Sequence, residues 1–173
     1  EFAFGLMLAA EKGIVRGAAA ICSGGFMENT SLGRRLGGRT MGILGLGNIG
    51  SRLARLARAL DMDVIAWSPS LTSQRATDQG VIAASFSEVI EKSDVLSLNM
   101  TMSEATRGIL GTPELAQMKH GALLLNTARS ALVDETALIE ALTQGNIRAA
   151  LDVFDQEPLP QNHPFRALSN VTL

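Results

Sequence analysis

TMGILGLGNIGSRLARLARALDMDVIAWS, residues Thr40 to Ser68, is the stretch on which the reading of this chain turns. It reads as strand, tight glycine turn, helix and second strand. Met41 to Leu46 are apolar enough for a buried strand, and from Ile49 to Leu60 the apolar residues return at helical spacing. Between them Gly45, Gly47 and Gly50 form G-x-G-x-x-G, and each glycine has a physical reason. Gly45 permits the tight turn, Gly47 lets the backbone come close to a pyrophosphate, and Gly50 lets the helix pack closely on the sheet. The free N–H groups and positive end of a helix that starts at Asn48 and Ile49 then face the phosphates. Alone, such a motif is a weak signal, because glycine turns without a ligand are common. Here the strand and helix that it requires stand on either side, and the turn reads as a dinucleotide site.

Downstream, short apolar runs and helices keep alternating. Val81 to Ala84 is a short strand and Phe86 to Lys92 a helix; Asp94 to Met100 is the next strand. Thr112 to Lys119 is a helix with Thr112 as N-cap and Pro113 in its first position. Ala122 to Ala128 is a strand, Asp134 to Gln144 a helix ended by Gly145, Arg148 to Phe154 a strand, and Asn170 to Leu173 begins another. This alternation predicts the α/β class: a Rossmann-type doubly wound parallel sheet with helices on both faces. The 173 residues suffice for one domain with a proper core, so residues 1–173 are read as a single dinucleotide-binding domain.

Upstream, Phe2 to Cys22 reads as one amphipathic helix packed on protein. Its Ala, Leu and Ile content resembles a membrane span, but Glu11, Lys12 and Arg16 interrupt it. A glycine-rich irregular connection, SGGFMENTSLGRRLGGR, leads into the first strand. A net charge of -2 with dispersed acids and bases gives no electrostatic case for nucleic acid or an anionic membrane. Cys22 is the only cysteine, which excludes an internal disulfide and a cysteine metal cluster and suits a reducing cytosol, so a cytoplasmic protein is expected. The helix already runs at Glu1 and Phe2 with no cap, which gives the expectation of a piece of something longer.

In doubly wound sheets ligands bind at the carboxyl ends of the strands. Ser68, then Asn99 to Ser103, then Asn126 to Arg129, then Asp152 followed by Glu157 all fall there, while the opposite ends carry mainly turn residues. One polar strand end is only a loop beginning; four along one edge beside a phosphate-binding turn suggest a cleft. Arg129 follows LLLNTA and is expected to project into it. Its fork suits a carboxylate; the bland alternative is a solvated loop arginine. Asp152 is placed within an apolar strand, where an unpaired carboxylate is costly, so it needs donors such as backbone amides or a ligand carboxamide. Glu157, in DQEPLP, is on spacing alone as easily a loop carboxylate as a functional one.

At this point the residues resemble the D-isomer-specific 2-hydroxyacid dehydrogenases over almost the whole chain. The matching motifs are GILGLGNIG, SDVLSLNMTMSEATRGIL, LLLNTARSALVDETAL, and AALDVFDQEPLP followed by HPFRALSNVTL, in matching order and spacing. The resemblance implies the cofactor domain of a two-domain oxidoreductase that transfers hydride between a nicotinamide and C2 of a small 2-keto or 2-hydroxy acid. It implies that Arg129 binds the substrate carboxylate and polarises its carbonyl, and that Glu157 orients a catalytic histidine and raises its pKa. It places Asp152 against the nicotinamide, and Thr127 and Ala128 along the cofactor. Asn99 and Thr101 stand where the family commonly has His and Pro, which alters the adenosine-side wall, and Ser130 replaces a usual glycine. The family also implies a homodimer formed through cofactor domains, with the apolar helix Phe2 to Cys22 as candidate surface.

Reducing a ketone by hydride leaves an alkoxide that needs a proton donor near neutrality, and histidine suits it. His120 falls at the wrong edge of the sheet, and His163, in NHPF, matches a histidine-proline element read as structural. The family's acid histidine comes just after the strand beginning at Asn170, beyond Leu173. The 173 residues are therefore expected to bind cofactor without turning over.

Cofactor choice is open between NAD and NADP. The carboxylate that usually binds the ribose 2′-OH, about 20 residues past the glycines, is replaced by Ser68. Without it a 2′-phosphate is not repelled, and Arg75 is placed to reach it; if Arg75 is merely solvated, Ser68 bonds the hydroxyl. The balance falls slightly to NAD. The competing readings are a non-catalytic dinucleotide sensor of the same fold and a methyltransferase with a similar glycine turn.

Overall fold

The computed structural model describes residues 1–26 and 32–173, so part of the irregular connection before Arg39 lies outside the described residues. Seven strands, β1 (Thr40–Leu44), β2 (Asp63–Trp67), β3 (Ile82–Ala83), β4 (Val95–Leu98), β5 (Leu123–Asn126), β6 (Arg148–Leu151) and β7 (Val171–Thr172), form one sheet. Their order is β3-β2-β1-β4-β5-β6-β7 and every pairing is parallel. The described helices are α1 (Phe2–Lys12), α2 (Ile14–Cys22), α3 (Asn48–Arg58), α4 (Ser73–Asp78), α5 (Phe86–Lys92), α6 (Thr112–Gln117) and α7 (Glu135–Thr143). From β1 the chain winds outward to β3 and then returns to β4 on the other side of β1. The carboxyl ends of β1 and β4 therefore flank a topological switch point, where a doubly wound sheet leaves a crevice.

Strand residues alternate between two apolar layers. Leu96, Leu98, Leu124 and Leu151 pack with Val89 and Ile90 of α5, Leu115 of α6 and Leu138 and Leu142 of α7. Met41, Ile43, Val64, Leu123 and Leu125 pack on the opposite face with Leu6 and Met7 of α1, Leu53 and Ala57 of α3 and Ala76 of α4. Both faces are thus covered, as the runs of continuous apolar residues require. Gly42 lets α5 lie against β1, since a Cβ there would overlap the hydroxyl of Ser93 and lie 2.9 Å from Val89 Cγ1.

Three local expectations are corrected and one helix is added. The helix expected from Phe2 to Cys22 is broken at Gly13, whose left-handed φ of 64° closes α1 by returning its N–H to the Ala9 carbonyl. α1 packs on the sheet, whereas α2 buries none of its residues. α4 was not anticipated; it is a short helix capped by the Thr72 hydroxyl, which accepts from the Arg75 amide. α6 is capped by Gly111, not Thr112, with the Glu114 carboxylate accepting the Gly111 N–H at 3.0 Å. The strand expected from Arg148 to Phe154 stops at Leu151.

Sequence had marked Glu11 only as an interruption of an apolar helix, yet it is 2% exposed. Its carboxylate accepts Arg39 Nη1 at 2.7 Å on one oxygen and Arg148 Nη2 on the other. Arg39 leads into β1 and Arg148 opens β6, so one carboxylate fastens α1 across the amino edge of the sheet. Burial pushes the Arg148 guanidinium below its ordinary value, and the facing Glu11 charge opposes that shift.

At α5, Ser85 and Glu88 form a reciprocal capping box, and Lys92 Nζ donates to the Glu88 carboxylate at 2.8 Å. That ammonium and the Ser85 donors lower the Glu88 carboxyl from 4.5 to about 2. A carboxyl depressed on folding stabilises above its unfolded value, so the Glu88 contribution should be lost as pH falls from about 4.5 towards 2. Ser85→Ala should cost about 1 kcal/mol in urea unfolding at neutral pH. Glu88→Gln should flatten the acid limb of the stability profile, and an unchanged limb would remove Glu88 from the cap. Among the described residues no helix is long and apolar enough to cross a membrane.

Candidate functional site

β1 ends against the glycine turn, whose geometry is fixed from three sides. Gly45 has φ 102°, its N–H donates to the Trp67 carbonyl at 2.8 Å, and a Cβ there would lie 2.6 Å from the Asn99 carbonyl oxygen. Both conformation and space therefore demand glycine. A Cβ on Gly50 would overlap the Gly45 carbonyl oxygen, so this residue lets α3 start directly against the turn. Gly47 is different: its backbone is extended, and a Cβ there would meet nothing within 4 Å. It faces open space, and among the described residues no side chain caps the amino end of α3 that follows it. Bare amides beside an open glycine fit a pyrophosphate.

Ser68 Oγ accepts the Leu46 N–H at 2.8 Å, bracing the glycine turn from the end of β2 and leaving its hydroxyl hydrogen free to donate. Gly45, Gly47, Ser68, Arg75, Asn99 and Thr101 line a cavity of about 380 Å³. A second, of about 390 Å³, lies beyond the shared wall of Asn99, Met100 and Thr101, and Ile49, Thr127, Ala128 and Arg129 line it. Asn48 lines a recess with Gly47 and Arg75 on the other side. The cleft so formed runs along the carboxyl edge from β2 to β5, the place that the switch point predicts.

Asn126 orders the turn that follows β5. It is 2% exposed, its Nδ2 donates to the Arg129 carbonyl at 2.9 Å, and its Oδ1 accepts the Ala128 N–H at 3.1 Å. One buried amide thus fixes the backbone of Thr127, Ala128 and Arg129. Sequence listed Asn126 among the strand-end polar residues without a role; the signal for one was a polar group closing the buried run LLLN. Arg129 itself is exposed and donates one Nη1 hydrogen to the Ala128 carbonyl at 2.6 Å. Among the described residues no carboxylate pairs with it.

Asp152 and Glu157 follow β6, at the same edge, and line neither cavity. Asp152 is the first residue past the strand and is exposed, so the argument from an unpaired carboxylate buried in a strand does not hold; water solvates it. The exposed Glu157 carboxylate accepts the Phe154 N–H at 3.1 Å. Arg166 holds the same loop through the carbonyls of Pro160 at 2.9 Å and Leu159 at 2.8 Å. His163 caps the turn at Pro164 to Arg166. Its Nδ1 accepts the Phe165 N–H at 3.3 Å, so Nε2 carries the hydrogen toward Glu135 Oε1, also at 3.3 Å. Both of its ring nitrogens are engaged in holding the loop. His120 is exposed in the turn before β5, at the opposite edge from the cleft.

Residues 4–173 match the model of the D-isomer specific 2-hydroxyacid dehydrogenase, NAD binding domain. A glyoxylate reductase of Aeropyrum pernix is 40% identical over 181 residues, covering 100% of this chain and 54% of that protein. A D-3-phosphoglycerate dehydrogenase of Methanocaldococcus jannaschii is 38% identical over 99% of this chain and 33% of its own length. The crystal structure of a phosphoglycerate oxidoreductase from Vibrio cholerae superposes with a TM-score of 0.93 at 37% identity, covering 99% of this chain and 56% of that one. The chain thus spans about a third to a half of the length of these relatives. With its sheet order, glycine turn and strand-end cleft, it belongs to the D-isomer specific 2-hydroxyacid dehydrogenases and is the nicotinamide-dinucleotide domain of that family.

Proposed function

We propose that residues 1–173 are the cofactor domain of an oxidoreductase that transfers a hydride between NAD(H) or NADP(H) and C2 of a small 2-keto or 2-hydroxy acid of D configuration. The observation that carries the reading is Arg129: a guanidinium that no carboxylate among the described residues pairs with, on a backbone fixed by Asn126, in the cavity that shares a wall with the glycine-turn cleft. Relatives named glyoxylate reductase and hydroxypyruvate reductase favour this over a non-catalytic dinucleotide sensor.

When bound, the cofactor supplies the hydride. The amides of Asn48, Ile49 and Gly50 at the start of α3 hold its pyrophosphate, Gly47 lets it approach, and Thr101, Thr127 and Ala128 line its path. Arg129 grips the substrate carboxylate with two hydrogen bonds and draws charge from the ketone oxygen. Asp152, at the end of β6, is assigned to the nicotinamide carboxamide. Glu157 orients the acid histidine, supplied by a part of the parent outside these residues, and holds its proton near neutral pH. The substrate's side-chain pocket is assigned to a second domain, as the greater length of the relatives suggests.

The reading includes a homodimer in a reducing, cytoplasmic compartment. Ile14, Val15 and Ile21 on α2 are 57%, 56% and 60% exposed, a stripe that a second copy would cover. A monomeric mass by light scattering at every concentration would count against it.

Titration of the 173-residue chain with NADH and NADPH, followed by Trp67 emission and by calorimetry, tests the cofactor role directly. Saturable heat with at least one of them is the expected result, and heat with neither would overturn it. Glyoxylate, hydroxypyruvate or pyruvate should then give no steady NADH or NADPH oxidation. Sustained turnover would show that the proton donor lies within these residues.

A further inference from the structure

The ribose end of the cleft bears on which of the two cofactors it takes. This rests on the reading of the cleft as a nicotinamide dinucleotide site. Selection of NAD over NADP ordinarily uses a carboxylate at the end of the second strand, which bonds the ribose 2′-OH and repels a 2′-phosphate. β2 ends at Trp67, and the residues that follow, Ser68, Pro69 and Ser70, carry no acid. Asp63, the acid of β2, opens the strand at the opposite edge.

The hydroxyl of Ser68 is committed as acceptor to the Leu46 amide, so the residue in the carboxylate's place serves the turn. It gives a ribose one donor at most. Beside it stands a cation. Arg75, on α4, donates Nη1 to the Ser70 carbonyl at 3.2 Å, which folds its guanidinium back over the β2 exit. It lines the cavity with Gly45, Gly47, Ser68 and Ser70, and also the recess with Asn48 and Ser51. Asp78 is the acid that faces this recess, and the Gln74 amide holds it at 2.8 Å. Arg52 and Arg55 line the next cavity along α3. Among the described residues, cations therefore outnumber acids around the ribose end, and none of those that line the cavity with Ser68 is an acid.

We propose that the cleft recognises NADP(H), with the 2′-phosphate held by the Arg75 guanidinium beside the Ser68 and Ser70 hydroxyls. This reverses the slight balance toward NAD that the sequence alone suggested. The sequence could not show that Arg75 is turned to the β2 exit, or that the Ser68 hydroxyl already accepts the Leu46 amide. Arg75 keeps most of its five donors for a phosphate, whose oxygens match the planar fork.

The test is calorimetry on the 173-residue chain with NADPH, NADH, 2′,5′-ADP and 5′-AMP. NADPH should bind at least about 10-fold more tightly than NADH, and 2′,5′-ADP more tightly than 5′-AMP by a similar factor, since the same charge-assisted contact separates each pair. Arg75→Ala should weaken NADPH about 10- to 100-fold and leave NADH within about 2-fold. Arg75→Lys should recover part of the loss, and the preference should shrink as salt is raised. Arg75 is exposed, and circular dichroism of both variants should match the parent. Equal binding of NADPH and NADH, or tighter NADH, would overturn this assignment and leave the dinucleotide site standing. A loss in Arg75→Ala shared equally by both cofactors would overturn it too, placing Arg75 against a part common to both. Binding of neither dinucleotide would overturn the dinucleotide site itself.

Discussion

Glu11→Ala should destabilise the domain by about 3–5 kcal/mol, the range found when one member of a buried ion pair is removed. The loss is large because two cations are left behind. Arg39 and Arg148 side chains are 20% and 15% exposed, and each would keep its charge without its carboxylate. Repulsion between them would add to incomplete solvation. Each guanidinium retains one carbonyl acceptor, Arg39 on Asp94 at 3.3 Å and Arg148 on Gly121 at 3.2 Å, which softens the penalty without removing it. Urea unfolding reads the difference, and a cost below about 1 kcal/mol would put this cluster with the weak surface pairs. Glu11→Gln separates charge from shape: it keeps acceptor and volume and should fall between the two. Because the cluster sits at the amino edge of the sheet, a destabilised but folded variant should still bind the dinucleotide at the carboxyl edge.

The glycine turn was legible in sequence because its three glycines answer to local sterics. Gly45 needs φ 102°, Gly50 needs contact with the Gly45 carbonyl, and Gly47 needs open space; each requirement is set within a few residues. The two-layer sheet was legible for a similar reason, since runs such as VLSL and LLLN suit strands buried on both faces. What escaped depends on partners distant in the chain. Glu11 lies 28 residues from Arg39 and 137 from Arg148, and nothing around it in sequence distinguishes a buried ion pair from a solvated charge. Gly13 interrupts a stretch whose alanines and leucines favour helix on both sides, and its left-handed conformation ends α1 there. Asp152 was misjudged through a boundary: an apolar run through Phe154 continues past the point where β6 has a neighbour to pair with, and three residues of misplaced strand turned an exposed carboxylate into a buried one. Asn126 and Ser68 were visible as polar strand ends, but their hydrogen bonds go to backbone amides and carbonyls, which no side-chain pattern encodes.

In the intact enzyme to which this domain is proposed to belong, Arg129→Ala should lower kcat/KM for the keto acid by about 10²- to 10⁴-fold. The range follows from two charge-assisted hydrogen bonds at about 1.5–3 kcal/mol each, lost where the substrate is shielded from water. The loss should divide between KM and kcat, because the same fork binds the carboxylate and stabilises charge that develops on the ketone oxygen during transfer. Cofactor affinity should stay within about 3-fold, since Asn126 fixes the Arg129 backbone through main-chain atoms that the substitution leaves in place. Arg129→Lys keeps the charge and loses the fork, and should recover only part of the deficit. Glu157→Gln is the companion measurement, and its readout is the pH profile. A carboxylate beside a histidine favours the protonated ring, so its removal should move the alkaline limb of the reduction rate down by about one pH unit. If Arg129→Ala left kcat/KM within a few-fold of the parent, the exposed guanidinium would be a solvated loop residue. Substrate recognition would then have to come from another cation.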